Sequence, residues 1–293
     1  MESQWKAAGT AAEEPAVVKR ETRGPAPKRK SSGLKYEMST PKPWAVALGQ
    51  VGLFALIVVL WELFARVGII NPFFWSQPVE IIKTWWISVQ SGAVWIDTMY
   101  TFRSTVLGFL LGTAGGTLIG LSFWWSKYYA RVFEPFIIMF EAMPKLALAP
   151  IVVLVFGIGI SSKVAMGFAI TVVITTLTTY NGVKSVDKDL VRMVYSLGAS
   201  RWQVFRKVIM PSAMPAMISA LRINIGLALT GAIVGEYIGS EQGLGRMIFY
   251  AGQTYEISLI WANIFNLSVL SMLLYLLVGR LETWLLKGFT HQK

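Results

Sequence analysis

Long apolar runs separated by shorter polar segments dominate this chain. The first run extends from Ala45 to Arg66 with one acid, Glu62, near its far end. The others are Met99 to Trp125, Val132 to Phe156, Val164 to Tyr180, Met214 to Ile238 and Ile257 to Val278. Crossing ~30 Å of hydrocarbon takes ~20 helical residues, and these runs are of that length. The pattern predicts an all-α, polytopic membrane protein with about six transmembrane helices. Between the first two runs, Pro78 to Gln90 reads as a short amphipathic helix carrying Trp85 and Trp86, a pair suited to a membrane interface.

Polar and small residues inside the runs carry the next layer of information. Gly108, Gly112, Gly116 and Gly120 recur every fourth residue, which places them on one helix face as a seam for close helix packing. The third run holds Pro135, Pro144 and Pro150 together with Glu134, Glu141 and Lys145, so an irregular span is expected there. Glu141 and Lys145 share a helix face, either as a gate or substrate contact or as an internal ion pair. Thr171, Thr175 and Thr178 share a face of the fourth run, for interhelical hydrogen bonds or for a solute path. The fifth run contains Arg222, Asn224 and Glu236. Arg222 and Glu236 are ~21 Å apart along a straight helix and cannot pair with each other. Arg222 is expected to partner the polar loop before its helix, and Glu236 to lie near the opposite mouth. Arg103 is expected to snorkel to the interface. From polarity, Glu141, Lys145, Thr175 and Asn224 are the expected contacts of a solute path formed by the third, fourth and fifth spans.

Composition narrows the classes. Of 293 residues, 54% are hydrophobic and 15% charged, below the roughly 25% charged of soluble domains. There is no cysteine and one histidine, His291, which excludes thiolate chemistry and most histidine-dependent catalysis and metal binding. Neither a metal site nor catalytic residues are expected. The net charge of +11 resides in tails and loops, so it reads as a topology signal and not as nucleic-acid binding. Residues 1–44, with the cluster Lys28-Arg29-Lys30, are expected to be a disordered basic tail, as a topology signal or a tether to anionic lipid. They lack the apolar core of a cleavable signal peptide. Residues 45–285 then form the transmembrane domain and residues 286–293 a short tail. Lys184, Lys188, Arg192, Arg201, Arg206 and Lys207 fall in one loop, which puts that loop and both termini in the cytoplasm.

That loop, residues 184–211, carries the most specific motif. It reads as a short helix, a turn at Gly198, a second short helix capped by Ser200, and a proline stop at Pro211. Val204, Phe205 and Val208 give the second helix an apolar stripe for docking into a partner, beside a basic stripe of Arg201, Arg206 and Lys207. The loop resembles the conserved cytoplasmic loop of ATP-binding cassette importer permeases: Glu-Ala-Ala, three residues, Gly, nine residues, then Ile-x-Leu-Pro. Gly198, Val208 and Pro211 match, with Met210 in the Leu place. Arg192-Met193-Val194 stands where Glu-Ala-Ala is expected, so an acid that pairs with the ATPase is missing. The segments Glu141-Ala142-Met143-Pro144, Phe156-Gly157-Ile158-Gly159 and Gly235-Glu236-Tyr237-Ile238 are similar to the nitrate/sulfonate/taurine group of these permeases.

The resemblance implies a type I importer permease fold and a division of labour. Two copies of the chain would line the path in the bacterial inner membrane. A cytoplasmic ATPase dimer would hold ATP and Mg, and would dock on Arg192, Gly198, Ala199, Ser200, Arg201, Val204, Phe205, Val208 and Pro211. An extracytoplasmic substrate-binding protein would deliver a small, anionic solute such as nitrate, a sulfonate, taurine or an aromatic carboxylate. No cofactor is expected on this chain, which lacks a Gly-x-x-x-x-Gly-Lys-Ser/Thr phosphate loop. The main rival is an ion-coupled secondary transporter, which would usually show an inverted repeat and midplane ion ligands.

Overall fold

The computed structural model describes residues 42–290, and the packing set out below is that of the compact unit that begins at Val51. The fold is all-helical, with no strand among the described residues. The expected tail lies outside the described residues up to position 41; Pro43 already opens α1 (Pro43–Val67).

Between α1 and the next long helix come α2 (Pro72–Trp75) and α3 (Pro78–Gln90), the latter the amphipathic helix expected from sequence. Asn71 caps α2 by accepting from the Phe73 amide at 2.9 Å. α4 (Ala93–Ser122) continues into a 3-10 turn, Phe123–Trp125. α5 (Lys127–Ala142) and α6 (Ala149–Phe156) follow, joined through a 3-10 turn at Lys145–Leu148. α7 (Ile160–Lys184) returns to long helix. α8 (Lys188–Ser196) and α9 (Arg201–Val204) form the loop element, and α10 (Met210–Ile238), α11 (Leu244–Gln253) and α12 (Ile257–Thr290) complete the chain.

Five helical segments are long and apolar enough to cross a membrane: Trp44–Val67, Ala93–Trp125, Ile160–Lys184, Arg201–Ile238 and Ile257–Lys287. The pair α5–α6, bent by 86° at its break, has the length and apolarity of a sixth crossing if taken as one broken span, or of a re-entrant loop. Sequence explains the break. A residue before proline is pushed to extended backbone, and Met143 before Pro144 adopts φ −66°, ψ 137°. Pro135, by contrast, is tolerated inside α5, and Pro150 lies in the first turn of α6, where its missing N–H costs little. At the end of the chain, α12 runs as helix to Thr290, past the boundary expected at 285.

The core is a three-helix contact of α4, α7 and α10, flanked by α12. α4 and α7 run parallel and α10 runs antiparallel to both. A Cβ added at Gly108, Gly112, Gly116 or Gly120 would meet α7 at Gly167, Thr171, Thr175 and Thr179 in turn. These are two i+4 rows in register, so glycines on one helix receive threonines from the other. The stripe therefore runs through Thr179 and not through the expected Thr178. Two glycines not singled out from sequence complete the crossing. A Cβ at Gly231 would lie 2.8 Å from Gly167 backbone, and one at Gly108 would lie 3.1 Å from Gly167 Cα. Three backbones thus converge at Gly108, Gly167 and Gly231.

Candidate translocation and coupling sites

The loop element begins with local chemistry. Asp187 caps α8 by accepting from the Asp189 amide at 2.8 Å. Gly198 takes φ +83°, the left-handed region that favours glycine, and turns the chain between α8 and α9. Ser200 then opens α9 with reciprocal bonds: its hydroxyl accepts from the Gln203 amide at 3.3 Å, and the Gln203 side chain accepts from the Ser200 amide at 2.7 Å. Pro211 does not stop this helix as sequence suggested. α9 continues through a π-helical turn, Phe205–Ile209, straight into α10, with Pro211 in the first α turn. The wider turn accommodates the missing proline N–H and the bulk of its ring. The element is therefore one rigid piece with a membrane-crossing helix.

The apolar stripe of α9 faces inward. Val204 is fully buried, and Phe205 and Val208 are buried with it against Leu121, Val183 and Ala213. Phe205 sits 4.3 Å, centroid to centroid, from Trp125 and stacks on Trp202 at 5.6 Å. Arg201 donates to the Trp125 carbonyl and lies over the Trp124 ring. Val204, Phe205 and Val208 are thus covered by the chain itself, Phe205 by the end turn of α4. Pro211 and Ala199 are half-buried. What α8 and the turn leave exposed is Met193, Tyr195, Leu197 and Trp202, together with Arg192, Gly198, Ser200 and Arg201; Leu197 is 79% exposed. Arg192 forms a surface ion pair with Asp189 at 3.1 Å.

The four residues expected on a solute path separate into two places. Glu141 and Lys145 flank the α5–α6 break. Glu141 is exposed, and Lys145 donates to its main-chain carbonyl at 2.8 Å, not to its carboxylate. Thr175 and Asn224 lie inside the three-helix core. Asn224 donates to the Thr175 hydroxyl at 2.9 Å and to that of Thr113 at 3.4 Å, while Thr175 donates to the Thr171 carbonyl at 2.7 Å. Both are almost wholly buried, so they bond helix to helix and do not face a path within this chain. Arg222 also departs from expectation: it pairs with Glu282 of α12 at 2.7 Å and lies over the Tyr275 ring, so its partners are on α12 and not in the loop element.

At the opposite end of the bundle is a buried polar knot that sequence reading did not assemble. Glu236, 1% exposed, accepts from the Thr101 hydroxyl at 2.9 Å and from the Gly245 amide at 2.8 Å. Asp97 accepts from the Gly243 amide at 2.7 Å, and Thr101 accepts from the Leu244 amide at 3.0 Å. Three successive amides at the start of α11 are thereby satisfied by side chains of α4 and α10, two of them by carboxylates suited to a helix N-terminus. Glycine is required at 243, where φ is +116° and a Cβ would collide with the Glu236 carboxyl. Lys163 is fully buried in the first turn of α7. Its ammonium donates to the carbonyls of Ile158 (2.6 Å) and Gly239 and to the Ser162 hydroxyl (3.2 Å). It staples the turn before α7 to the loop after α10. The signal for all of this was present as two charges, Lys163 and Glu236, at the ends of otherwise apolar runs.

Comparison with known proteins now adds to the geometry. Residues 104–289 match the family described as binding-protein-dependent transport system inner membrane component. The formylaminopyrimidine transport permease protein of Halalkalibacterium halodurans is 32% identical over 240 residues, covering 82% of this chain and 95% of that protein. The taurine transport system permease protein of Escherichia coli is 28% identical over 243 residues, covering 80% of this chain and 88% of that one. Among solved structures, a bacterial ABC transporter involved in the import of the acidic polysaccharide alginate superposes with a TM-score of 0.57 at 15% identity, over 82% of this chain and 98% of that one, which is a likeness of fold.

Proposed function

The chain belongs to the family of inner membrane components of binding-protein-dependent transport systems, and from that premise we propose how it works: two copies enclose a path, and the α8–α9 element receives the stroke of a separate ATPase. The chain is a multi-pass bacterial inner-membrane permease subunit of an ATP-driven importer of small solutes, with ATP hydrolysis on another subunit.

One observation carries the coupling reading. Leu197, Met193 and Tyr195 form an exposed apolar knob on α8 and the turn after it, and α9, on the other side of that turn, continues without a break into α10. A buried aromatic or aliphatic anchor is what a docked interface needs. A rigid helix behind it transmits a push into the membrane. We assign the docking to Leu197 and its neighbours in α8, with Arg192, Gly198, Ser200 and Arg201 around them. Val204, Phe205 and Val208 instead fasten the element to α4. The basic residues of this loop support a cytoplasmic position for it and for both termini.

The path reading rests on the α5–α6 break. A bent, proline-interrupted span is tolerated in a membrane where protein or a water-filled cavity covers it. With Glu141 and Lys145 at the surface of this break, a second copy of the chain supplies that cover, and the two breaks face each other across the path. Lys145 would balance an anionic solute. The solutes named for the relatives, formylaminopyrimidine and taurine, differ in chemistry, one a heterocycle and the other an aminosulfonate, which supports selection by the external binding protein and a path with few polar contacts. A small solute bearing an anionic group, such as nitrate, a sulfonate, taurine or an aromatic carboxylate, is the solute we propose.

The coupling reading is tested by co-purification of tagged chain with its ATPase. Leu197→Asp should leave the chain folded, because the side chain is exposed, and should lose the ATPase. Retention of the ATPase at wild-type stoichiometry would show that docking lies elsewhere.

A further inference from the structure

A groove between α10 and α12 lies at the end of the bundle that carries α8 and α9. It has a volume of about 460 Å³ and is lined by Arg222 of α10 and by Arg280, Thr283, Trp284 and Lys287 of α12. The α12 residues recur at helical spacing and share one face. Arg222 crosses to α12 where Gly279 leaves room: a Cβ there would come within 3.1 Å of its guanidinium. Three basic residues, Arg222, Arg280 and Lys287, and no acid are among the residues that line the groove, with Glu282 beside it paired to Arg222 at 2.7 Å, so its lining is basic by composition.

Depth and continuity identify the occupant. From Ile257 to Gly279 is about 33 Å of helix, which places Arg222 and Arg280 at the edge of a ~30 Å hydrocarbon core. Trp284, 70% exposed, stands just beyond that edge, where tryptophan anchors in headgroups. On the membrane side, Tyr275 is shared with a second, mostly apolar cavity of about 500 Å³ between the same two helices, lined by Leu229, Ile233, Leu267 and Met272 with the hydroxyls of Thr230, Ser268 and Ser271. A cationic pocket at the interface therefore continues into an apolar track of membrane depth. A soluble anion would use only the pocket; a molecule with an anionic head and an acyl chain uses both. We infer that this groove binds an anionic phospholipid, its phosphate among Arg222, Arg280 and Lys287 and an acyl chain along the track.

The test uses the full-length chain, purified in detergent and titrated with dioleoyl phosphatidylglycerol under native mass spectrometry, with dioleoyl phosphatidylcholine as the comparison. Wild type should retain phosphatidylglycerol in preference to phosphatidylcholine. Arg280→Gln with Lys287→Gln should weaken phosphatidylglycerol roughly 25-fold, about fivefold for each basic group, without changing its unfolding midpoint. Excess inorganic phosphate should not displace the lipid; displacement would mark a free-anion site and overturn the proposal. Unchanged lipid retention by the double variant would also overturn it. So would loss of the ATPase from the double variant with lipid retention intact, since the basic face would then be a protein contact.

Discussion

The glycine–threonine seam makes a sharp prediction at two adjacent positions. In Gly116→Ala the new Cβ would lie 2.5 Å from Thr175 Cβ, 2.6 Å from the Val172 carbonyl oxygen and 3.0 Å from the Thr176 amide nitrogen. Two of those three atoms are helix backbone and cannot rotate away, so α4 and α7 must separate along the seam. In Gly115→Ala the nearest atom is the Phe168 ring edge at 3.4 Å, ordinary contact. Alanine is favoured over glycine inside a helix by about 1 kcal/mol, and both substitutions gain it. Overpacking a filled contact costs typically 1–3 kcal/mol, more where nothing relaxes, and only Gly116→Ala incurs it. The two variants should therefore differ by about 2–3 kcal/mol, with Gly115→Ala at or above wild type. The assay is the unfolding midpoint of the purified chain in one detergent, with thiol labelling of a single introduced cysteine on α7 as a second probe. Equal midpoints for the two variants would refute a parallel α4–α7 seam in this register.

Other substitutions probe the remaining contacts. Lys163→Met leaves the Ile158 and Gly239 carbonyls without their donor inside the bundle and should destabilise the chain by about 3 kcal/mol, read as a lowered midpoint; a wild-type midpoint would remove the staple. Phe205→Asp buries a carboxylate among Trp124, Trp125 and Trp202 and should prevent accumulation of folded chain, whereas normal yield in the membrane would return Phe205 to an external surface. Lys145→Ala should keep the fold and the ATPase but lower solute uptake severalfold, and full uptake would take Lys145 off the path.

Much of the architecture was legible because hydrocarbon imposes length and polarity on every span. The run boundaries, the amphipathic helix at Pro78–Gln90 and the seam at Gly108 to Gly120 follow from periodicity alone. Gly167 escaped because it looks like a lone glycine until the partner helix is in place, and Gly231, four residues before Gly235, has only one repeat of the spacing that marks the α4 seam. The α9 stripe was expected to face a partner, and in the structure it is covered by this chain's own residues. An apolar face at helical spacing signals burial, and it does not say whether the cover comes from another chain or, as here, from Trp124 and Trp125 of the same one. Polarity misled in a similar way at Thr175 and Asn224. A polar group within a span must be satisfied, and an interhelical hydrogen bond satisfies it as well as a water-filled path does. Glu236 was visible as a costly charge within a span, but the purpose it shares with Asp97 depends on the loop at Gly243 folding back over α4.

The central claim is that this chain turns ATP hydrolysis on a partner subunit into solute movement across the membrane. It is tested most directly in proteoliposomes that contain the full-length chain with its ATPase, supplied with the cognate binding protein on the side opposite α8 and α9. The account predicts uptake of labelled solute that requires ATP, stops with orthovanadate, persists when ion gradients are collapsed and is lost in Leu197→Asp. Uptake driven by an ion gradient without ATP would contradict it.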